Sequence, residues 1–392
     1  MKKYANLIRN LFLLLMAGYF GYRYWQFGNA FYLFCIVVLI GFALPGLIGK
    51  LPVRWQNLTL NLGISLVFLD FVFAEIDLSD VAETLGSANY WMMVPATIFV
   101  LLHLHFRTLR SQWLLKSIGT VGYWPAYRAL VIGIAGNTVL PARAGEFLRA
   151  YVIGRSSNVS KTGAFATIVV ERIFDGLSVL LCLLVIIIFG IRDERFQLFG
   201  LLGGIFYIGA FVGLVIFILK RDWIDSLVKH RLPEDLAKLM LELLDGFGSG
   251  LAVLKNPRQL GMVLLWNFFT WVTVPVSIWF GLLAFDFGSP IPWQAPVLML
   301  PALGIALSVP GPPGGVGLFQ TAVTLTLDLT YANLPKVPDF DVVAGAAGIL
   351  IHLSQFGPEV LLGVISFLIE GLSTQDIKAG RGMTGDTVTA AD

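Results

Sequence analysis

Residues 136–175, GNTVLPARAGEFLRAYVIGRSSNVSKTGAFATIVVERIFD, concentrate charge in a chain that otherwise has little of it. Arg143, Glu146, Arg149, Glu171, Arg172 and Asp175 lie within or beside apolar segments of membrane-spanning character. A charge near the bilayer centre costs about 2.5 to 3.5 kcal/mol on insertion scales, so such residues face a protein interior or a wet cavity and mark a site. Pro141 suits the first position of a helix, with Asn137 or Thr138 upstream as its cap. On that helix Arg143, Glu146 and Arg149 fall within roughly a 120° sector and look into one space. The helix end adds a partial positive charge and free N–H groups, a seat for an anion such as a lipid phosphate. On the following span Glu171 and Asp175 share a face with Arg172 beside them, and two carboxylates so close in low dielectric need arginine partners. The same residues admit a second reading, internal ion pairs that tie broken helices together without a ligand.

The elements that must position these groups are helices. At 392 residues, 57% hydrophobic and only 13% charged, with a mean hydropathy of +0.79, the chain lies outside the soluble globular range, where about 25% charged is usual. Long unbroken apolar runs exclude a membrane β-barrel, whose strands alternate over ~10 residues. The expected fold is all-α, a polytopic membrane protein with about 8 spans plus two re-entrant or broken-helix elements. Runs of spanning character fall at residues 7–24, 31–49, 58–74, 91–106, 164–190, 198–219, 259–285, 293–309 and 342–369. The first is read as a retained span, because no small-residue cleavage motif follows it. Residues 1–370 are expected to form one membrane domain, and the polar, Gly/Thr-rich residues 371–392 a disordered tail.

Two stretches break the pattern. Residues 124–140 are apolar, interrupted by Gly133 and Gly136, and too short to span before Pro141. They are expected to be the first arm of a re-entrant hairpin whose second arm carries Arg143 to Arg149. Residues 308–320, SVPGPPGGVGLFQ, contain Pro310, Pro312 and Pro313, which exclude continuous helix, while Gly314, Gly315 and Gly317 permit close backbone approach. A half-helix starting near Val316 would again bring its positive end to membrane depth. Paired interrupted segments of this kind point to a midplane binding site, which adds Gly314, Gly315 and Gln320 to the candidate residues; a plain surface loop is the alternative.

Other polar groups have plainer readings. His103 and His105 point about 200° apart on a helix and cannot clamp one metal ion, so they read as headgroup-level polar residues at the inner end of a span, near Arg107 and Arg110. His352, Gln355 and Glu359 form one polar stripe that lines the same cavity or bonds between helices. Leu236, Met240, Leu243, Leu244 and Phe247 make residues 232–247 amphipathic, for the inner membrane surface, the underside of the bundle or a homo-oligomer contact. Cys35 and Cys182 both sit in apolar runs as free thiols. No metal, cofactor or nucleic-acid motif is present, and none of these partners is expected.

Asn137, Leu140, Pro141, Arg143, Gly145, Glu146 and Arg149 spell N-x-x-L-P-x-R-x-G-E-x-x-R, followed by Glu171-Arg172-x-x-Asp175 and Pro310-x-x-Pro313-Gly314-Gly315-x-Gly317. This set resembles the flippase-like transmembrane region of lysylphosphatidylglycerol synthases, in its free-standing form, from the first span to about Glu370. Gln320 stands where the resemblance implies an acidic side chain. The soluble aminoacyl-transferase domain of the two-part synthases is not expected here, and neither is lipid aminoacylation. The resemblance implies an inner-membrane protein that moves or binds anionic, aminoacylated or isoprenoid-type lipids. The expectation is therefore a lipid transporter with a membrane lipid as its partner, Arg143 and Arg149 holding phosphate and Glu146, Glu171 and Asp175 holding the arginines or meeting a cationic headgroup. With no nucleophile or metal motif the chain is expected not to be an enzyme; the alternative is a transferase or accessory subunit acting on lipid-linked substrates. A small-solute or ion-coupled transporter shares the broken-helix logic. Of 27 basic residues the outer loops would hold only Arg23, Arg192, Arg195 and Lys336 if both termini lie inside, which predicts a plasma-membrane protein oriented that way.

Overall fold

The computed structural model describes residues 2–73, 76–139, 144–157, 159–188, 194–231, 233–308, 313–373 and 376. Among them there is no strand, and the all-α membrane fold is the one observed. The residues cluster into two compact units, each discontinuous in sequence.

The first unit takes residues 1–88, 285–292 and 302–352. It holds α1 (Lys2–Phe27), α2 (Ala30–Leu47), α3 (Val53–Phe73) and α4 (Leu78–Ser87). Asn29 starts α2 by accepting a hydrogen bond from the Phe31 amide, and Asp77 starts α4 in the same way through Ser79. Leu13, Phe20, Tyr32 and Leu39 form the core between α1 and α2. Phe12, Leu15 and Phe34, by contrast, stay exposed. A soluble surface does not carry so many large apolar side chains, and here lipid is their solvent.

The second unit takes residues 89–284, 293–301 and 353–392. Its helices are α5 (Met93–Leu115), α6 (Tyr123–Val139), α7 (Gly145–Ser157), α8 (Lys161–Ile188), α9 (Glu194–Leu219), α10 (Arg221–Arg231), α11 (Glu234–Leu251) and α12 (Pro257–Leu282). Asn256 caps α12 through the Arg258 and Gln259 amides, and Pro257 takes the first position, where a missing N–H is harmless. Small residues set the closest approaches. A Cβ on Gly145 would overlap the carbonyl of Gly133, so α6 and α7 pack backbone against backbone. Gly246 and Gly250 of α11 likewise admit Thr162 and Ala166 of α8, which places the amphipathic segment against the bundle. Two further helices, α13 (Gln294–Ser308) and α15 (Phe340–Ile369), begin in one unit and end in the other; between them in sequence lies α14 (Leu318–Thr330).

Five helices among the described residues are long and apolar enough to cross a membrane: α2, α3, α5 with the turn before it, α12 and α15. A sixth joins them if Gly204–Phe217 and Arg221–Arg231, bent by 81°, count as one span. The expected eight are not confirmed among the described residues. α8 is long but carries Glu171, Arg172 and Asp175 at its centre, and α13 has only 15 residues. Cys35 is buried and Cys182 half-buried, both as free thiols.

Candidate functional site

α8 presents Glu171, Arg172 and Asp175 on adjoining turns, and three neighbouring helices of the same unit converge on them. α7 brings Glu146 and Arg149, α5 brings Arg107, Arg110 and Ser111, and α12 brings Asn267 and Trp271. Glu171 receives both terminal nitrogens of Arg149, at 2.8 and 2.7 Å, and Arg149 Nη2 also donates to Ser111 Oγ at 2.8 Å. The side chains of this pair are 2% and 0% exposed. A forked pair of this kind matches two donors to two acceptors, the geometry that lets a charge pair survive burial. Arg110, fully buried, donates to Asp175 at 2.7 Å and to Asn267 Oδ1 at 2.5 Å, and its Nη2 lies 3.6 Å from Glu171. Asn267 in turn donates to Ser178 Oγ, and the Trp271 indole donates to Asp175 at 3.2 Å.

The outer members of the cluster are held more loosely. Arg172 Nε lies 3.5 Å from Glu146 and Nη1 3.3 Å from Asp175, with its side chain 41% exposed. Arg107 Nη2 lies 3.9 Å from Asp175. The Nε atoms of both arginines are buried without a hydrogen-bond partner among the described residues. Within ion-pair distance the cluster therefore holds four guanidiniums, of Arg107, Arg110, Arg149 and Arg172, around three carboxylates, of Glu146, Glu171 and Asp175. Glu359 on α15 sits further out in the field of Arg107.

Six of the ten residues singled out in the sequence are thus brought together in the second unit: Asn137, Glu146, Arg149, Glu171, Arg172 and Asp175. Arg143, with Leu140 to Ala142, lies outside the described residues. One expectation is corrected. Asn137 and Thr138 do not cap the second arm; they sit in the last turn of α6, where Asn137 Nδ2 donates to Glu146 at 3.1 Å and Thr138 to the Ile134 carbonyl, and α7 begins at Gly145. Both terminal nitrogens of Arg149 are engaged, by Glu171 and Ser111. Arg149 organises the cluster, and Arg172 and Arg107 are the arginines left loosely paired.

Arg107 and Arg110, which were not among the residues singled out, belong to the cluster. The apolar run ends near residue 106 but the helix continues to Leu115, so His103, Arg107, Arg110, Ser111 and Leu114 lie along one inward stripe. That helical spacing was the available signal. His103 Nδ1 donates to the Thr270 carbonyl at 3.1 Å, and His105 shares a hydrogen bond with Tyr123 at 2.8 Å.

Gly314, Gly315 and Gln320 belong to the first unit. Pro310 and Pro312 lie outside the described residues, and the half-helix, α14, starts at Leu318. Gly317, at φ +89°, turns the chain there, close to the backbone of α3, where Ser65 donates to the Val316 carbonyl. Gln320 is the centre of a directed chain: the Gly317 amide donates to its Oε1 at 2.7 Å, its Nε2 donates to His352 Nδ1 at 3.0 Å, and His352 Nε2 donates to the Gly314 carbonyl at 2.9 Å. One histidine tautomer satisfies all three bonds, and a carboxylate in place of Gln320 would supply the acceptor but not the donor. The α15 stripe is divided between the units: His352 bonds to α14 and its turn, while Gln355 donates to Ser277 of α12 at 2.8 Å.

An all-helical, multi-span membrane protein that buries an arginine–carboxylate cluster at the junction of a short helical hairpin and a long helix is the class these features define. The chain belongs to the family of the lysylphosphatidylglycerol synthase transmembrane region, whose signature matches residues 58–363. It is 27% identical to glycosyltransferase AglD of Haloferax volcanii, over 80% of this chain and 54% of that protein, so it spans about half of that relative's length. It is 22% identical to the UPF0104 membrane protein MJ1595 of Methanocaldococcus jannaschii, over 81% of this chain and 96% of the relative. A UPF0104 membrane protein of Methanothermobacter thermautotrophicus is 25% identical, over 80% and 95%. The protein is therefore a membrane protein with a lipid-related role. The expectation that the chain is not an enzyme is contradicted: a relative matched over 80% of this chain carries the name of a glycosyltransferase.

Proposed function

We propose that the protein carries a polar lipid between leaflets, with the anionic headgroup drawn to the arginine cluster of the second unit. The observation that carries this reading is the loose pairing of Arg172, half-exposed at 3.5 Å from Glu146 and 3.3 Å from Asp175, at the edge of a buried arginine–carboxylate cluster. An arginine that served packing alone would be fully paired where it is buried, because an uncompensated ion in low dielectric is costly. A lipid phosphate would complete that pairing, and Arg172 and Arg107 offer it forked donors. Arg149, Glu171, Arg110 and Asp175 then form the rigid frame that keeps those two arginines in place. Family membership supports the lipid, and the arginine and lysine distribution supports both termini inside.

The test is redistribution of a fluorescent anionic phospholipid in proteoliposomes, read by quenching from outside with dithionite. Arg172→Gln is expected to slow redistribution at least about tenfold while leaving expression and unfolding temperature near wild type, since one loosely held exposed pair is worth about 0–1 kcal/mol. Unchanged redistribution at equal reconstitution removes Arg172 from the site. The relationship to AglD supports a second reading, a transferase acting on a lipid-linked substrate. Incubation of the purified protein with a labelled sugar-nucleotide donor and a polyprenyl-phosphate acceptor separates the two, because only the transferase yields a covalent product.

A further inference from the structure

Glu359 lies on α15, a helix long and apolar enough to cross the membrane, ten residues short of its end at Ile369. That sets it about 15 Å along the axis from that end. Its side chain is half-buried and makes no hydrogen bond or ion pair to another described residue. An ionised carboxylate within a span needs a cation or donors, whereas a protonated one needs neither. We infer that Glu359 is a proton-binding site coupled to the arginine cluster of the second unit, taking up a proton when an anion enters and releasing it when the anion leaves.

Hydrogen bonds fix its surroundings. Ser277 of α12 donates to the Ala96 carbonyl of α5 at 2.8 Å and accepts from Gln355 of α15 at 2.8 Å, so one hydroxyl ties three helices together. α15 runs parallel to α5 from there, since Leu372 beyond its end packs in the core that holds Leu115. One turn past Gln355 stands Glu359. On α5 the same direction leads to His103, bonded to the Thr270 carbonyl at 3.1 Å, and a turn later to Arg107, whose field reaches Glu359. Arg107 has capacity to spare: its ion-pair partner Asp175 is 3.9 Å away, and its Nε is buried with no hydrogen-bond partner among the described residues. The other charged groups on these helices are committed or distant. Arg110 is held by Asp175 and Asn267, and His105 by Tyr123. α12 carries only Arg258, in its first turn. α6, which meets α15 at Gly363, brings Tyr123, Tyr127 and Arg128, the last bound to Glu370 at 2.5 Å.

Charge balance sets the direction of the coupling. With Glu359 ionised the described charges cancel, the guanidiniums of Arg107, Arg110, Arg149 and Arg172 against the carboxylates of Glu146, Glu171, Asp175 and Glu359. A phosphate that engages Arg107 and Arg172 adds a negative charge in low dielectric and draws Arg107 away from Glu359. A proton from water on the Glu359 carboxylate restores the balance. Binding therefore takes up a proton, so the anion is held more tightly at low pH and less tightly as pH rises. The inference rests on the cluster being the headgroup site. It adds that anion and proton travel together, which makes a pH difference across the membrane a source of energy for transport.

The experiment uses the full chain in nanodiscs of phosphatidylcholine, titrated calorimetrically with dihexanoyl phosphatidylglycerol, a phosphodiester that does not itself titrate near neutral pH. Two buffers of different ionisation enthalpy report the protons taken up per anion bound, with empty discs as the blank. The wild type is expected to show net proton uptake at pH 7 and to lose at least about fivefold in affinity between pH 6 and pH 8. Glu359→Gln, which copies the protonated acid, is expected to bind with no uptake and no such pH dependence, and Glu359→Asp to retain both. Wild-type binding without proton uptake overturns the coupling and leaves the headgroup site standing. Uptake that survives in Glu359→Gln overturns the assignment to Glu359. Absence of wild-type binding removes the headgroup site itself, and this inference with it.

Discussion

At the residue scale the cluster separates groups that hold from groups that are free to bind. Arg149 and Glu171 pair bidentately and buried, with Arg110 3.6 Å from the same carboxylate, so removing either partner leaves buried charge short of its counterion. Arg149→Ala or Glu171→Gln is expected to cost about 3–5 kcal/mol, seen as a large fall in unfolding temperature in detergent. The double variant Arg149→Met with Glu171→Leu is expected to recover much of that loss, because it removes the stranded charge along with the bond. If the double variant is as unstable as the worse single one, the pair is not the self-contained unit its geometry describes. A second residue, Asp376, gives a pH dependence outside the membrane. Donors on the Ser373 backbone and side chain, then the Tyr151 hydroxyl, hold its carboxyl down at about 2; Arg155 donates to it at 2.7 Å. The sign follows from that depression: the tether is complete above the ordinary carboxylate range and lost as pH falls through about 2. Hydrogen exchange at the Ser373 amide, bonded to Asp376 at 2.8 Å, is therefore expected to stay protected at pH 4 in the wild type and to be fast in Asp376→Asn.

At the element scale, what positions the site is the close α6–α7 hairpin. Gly145 faces the Gly133 carbonyl and the Asn137 amide, so any side chain there meets backbone, which cannot swing aside. Gly145→Val is expected to push the two helices apart, break the Asn137–Glu146 bond and cost about 1–3 kcal/mol of overpacking; an unaltered unfolding temperature would show that the hairpin tolerates separation. Glu146 would lose its orientation with the hairpin, so lipid redistribution should fall with stability. This hairpin was legible in the sequence, since Gly133, Gly136 and Pro141 interrupt a run too short to span. The partners of its charges were legible only in part. Glu171 and Asp175 asked for arginines, but which arginine meets which carboxylate depends on the register between α7 and α8, a tertiary quantity. Arg110 was hidden because hydropathy ends a span where charges begin, while the helix itself continues and buries them. The stripe His352, Gln355 and Glu359 left a shared cavity or bonds between helices open, and His352 and Gln355 make the bonds, in different units, because α15 passes from one packed unit to the other, which helical spacing cannot show.

At the scale of the whole molecule the distribution of charge bears on orientation. Residues 220–238 carry Lys220, Arg221, Lys229, Arg231 and Lys238, whereas the connection leading into α4 and that helix itself carry Asp77, Asp80 and Glu83. Basic residues near span ends are retained on the cytoplasmic side, while acidic ones have little influence. The first segment is therefore expected inside and the second is free to lie outside. Single cysteines report this directly once Cys35 and Cys182 are replaced by alanine. Ala82→Cys, on the exposed face of α4, is expected to react with an impermeant maleimide in intact cells. Ser226→Cys, on the exposed face of α10, should react only after the membrane is opened. The reverse pattern would invert the protein and overturn the cytoplasmic placement of the basic segment.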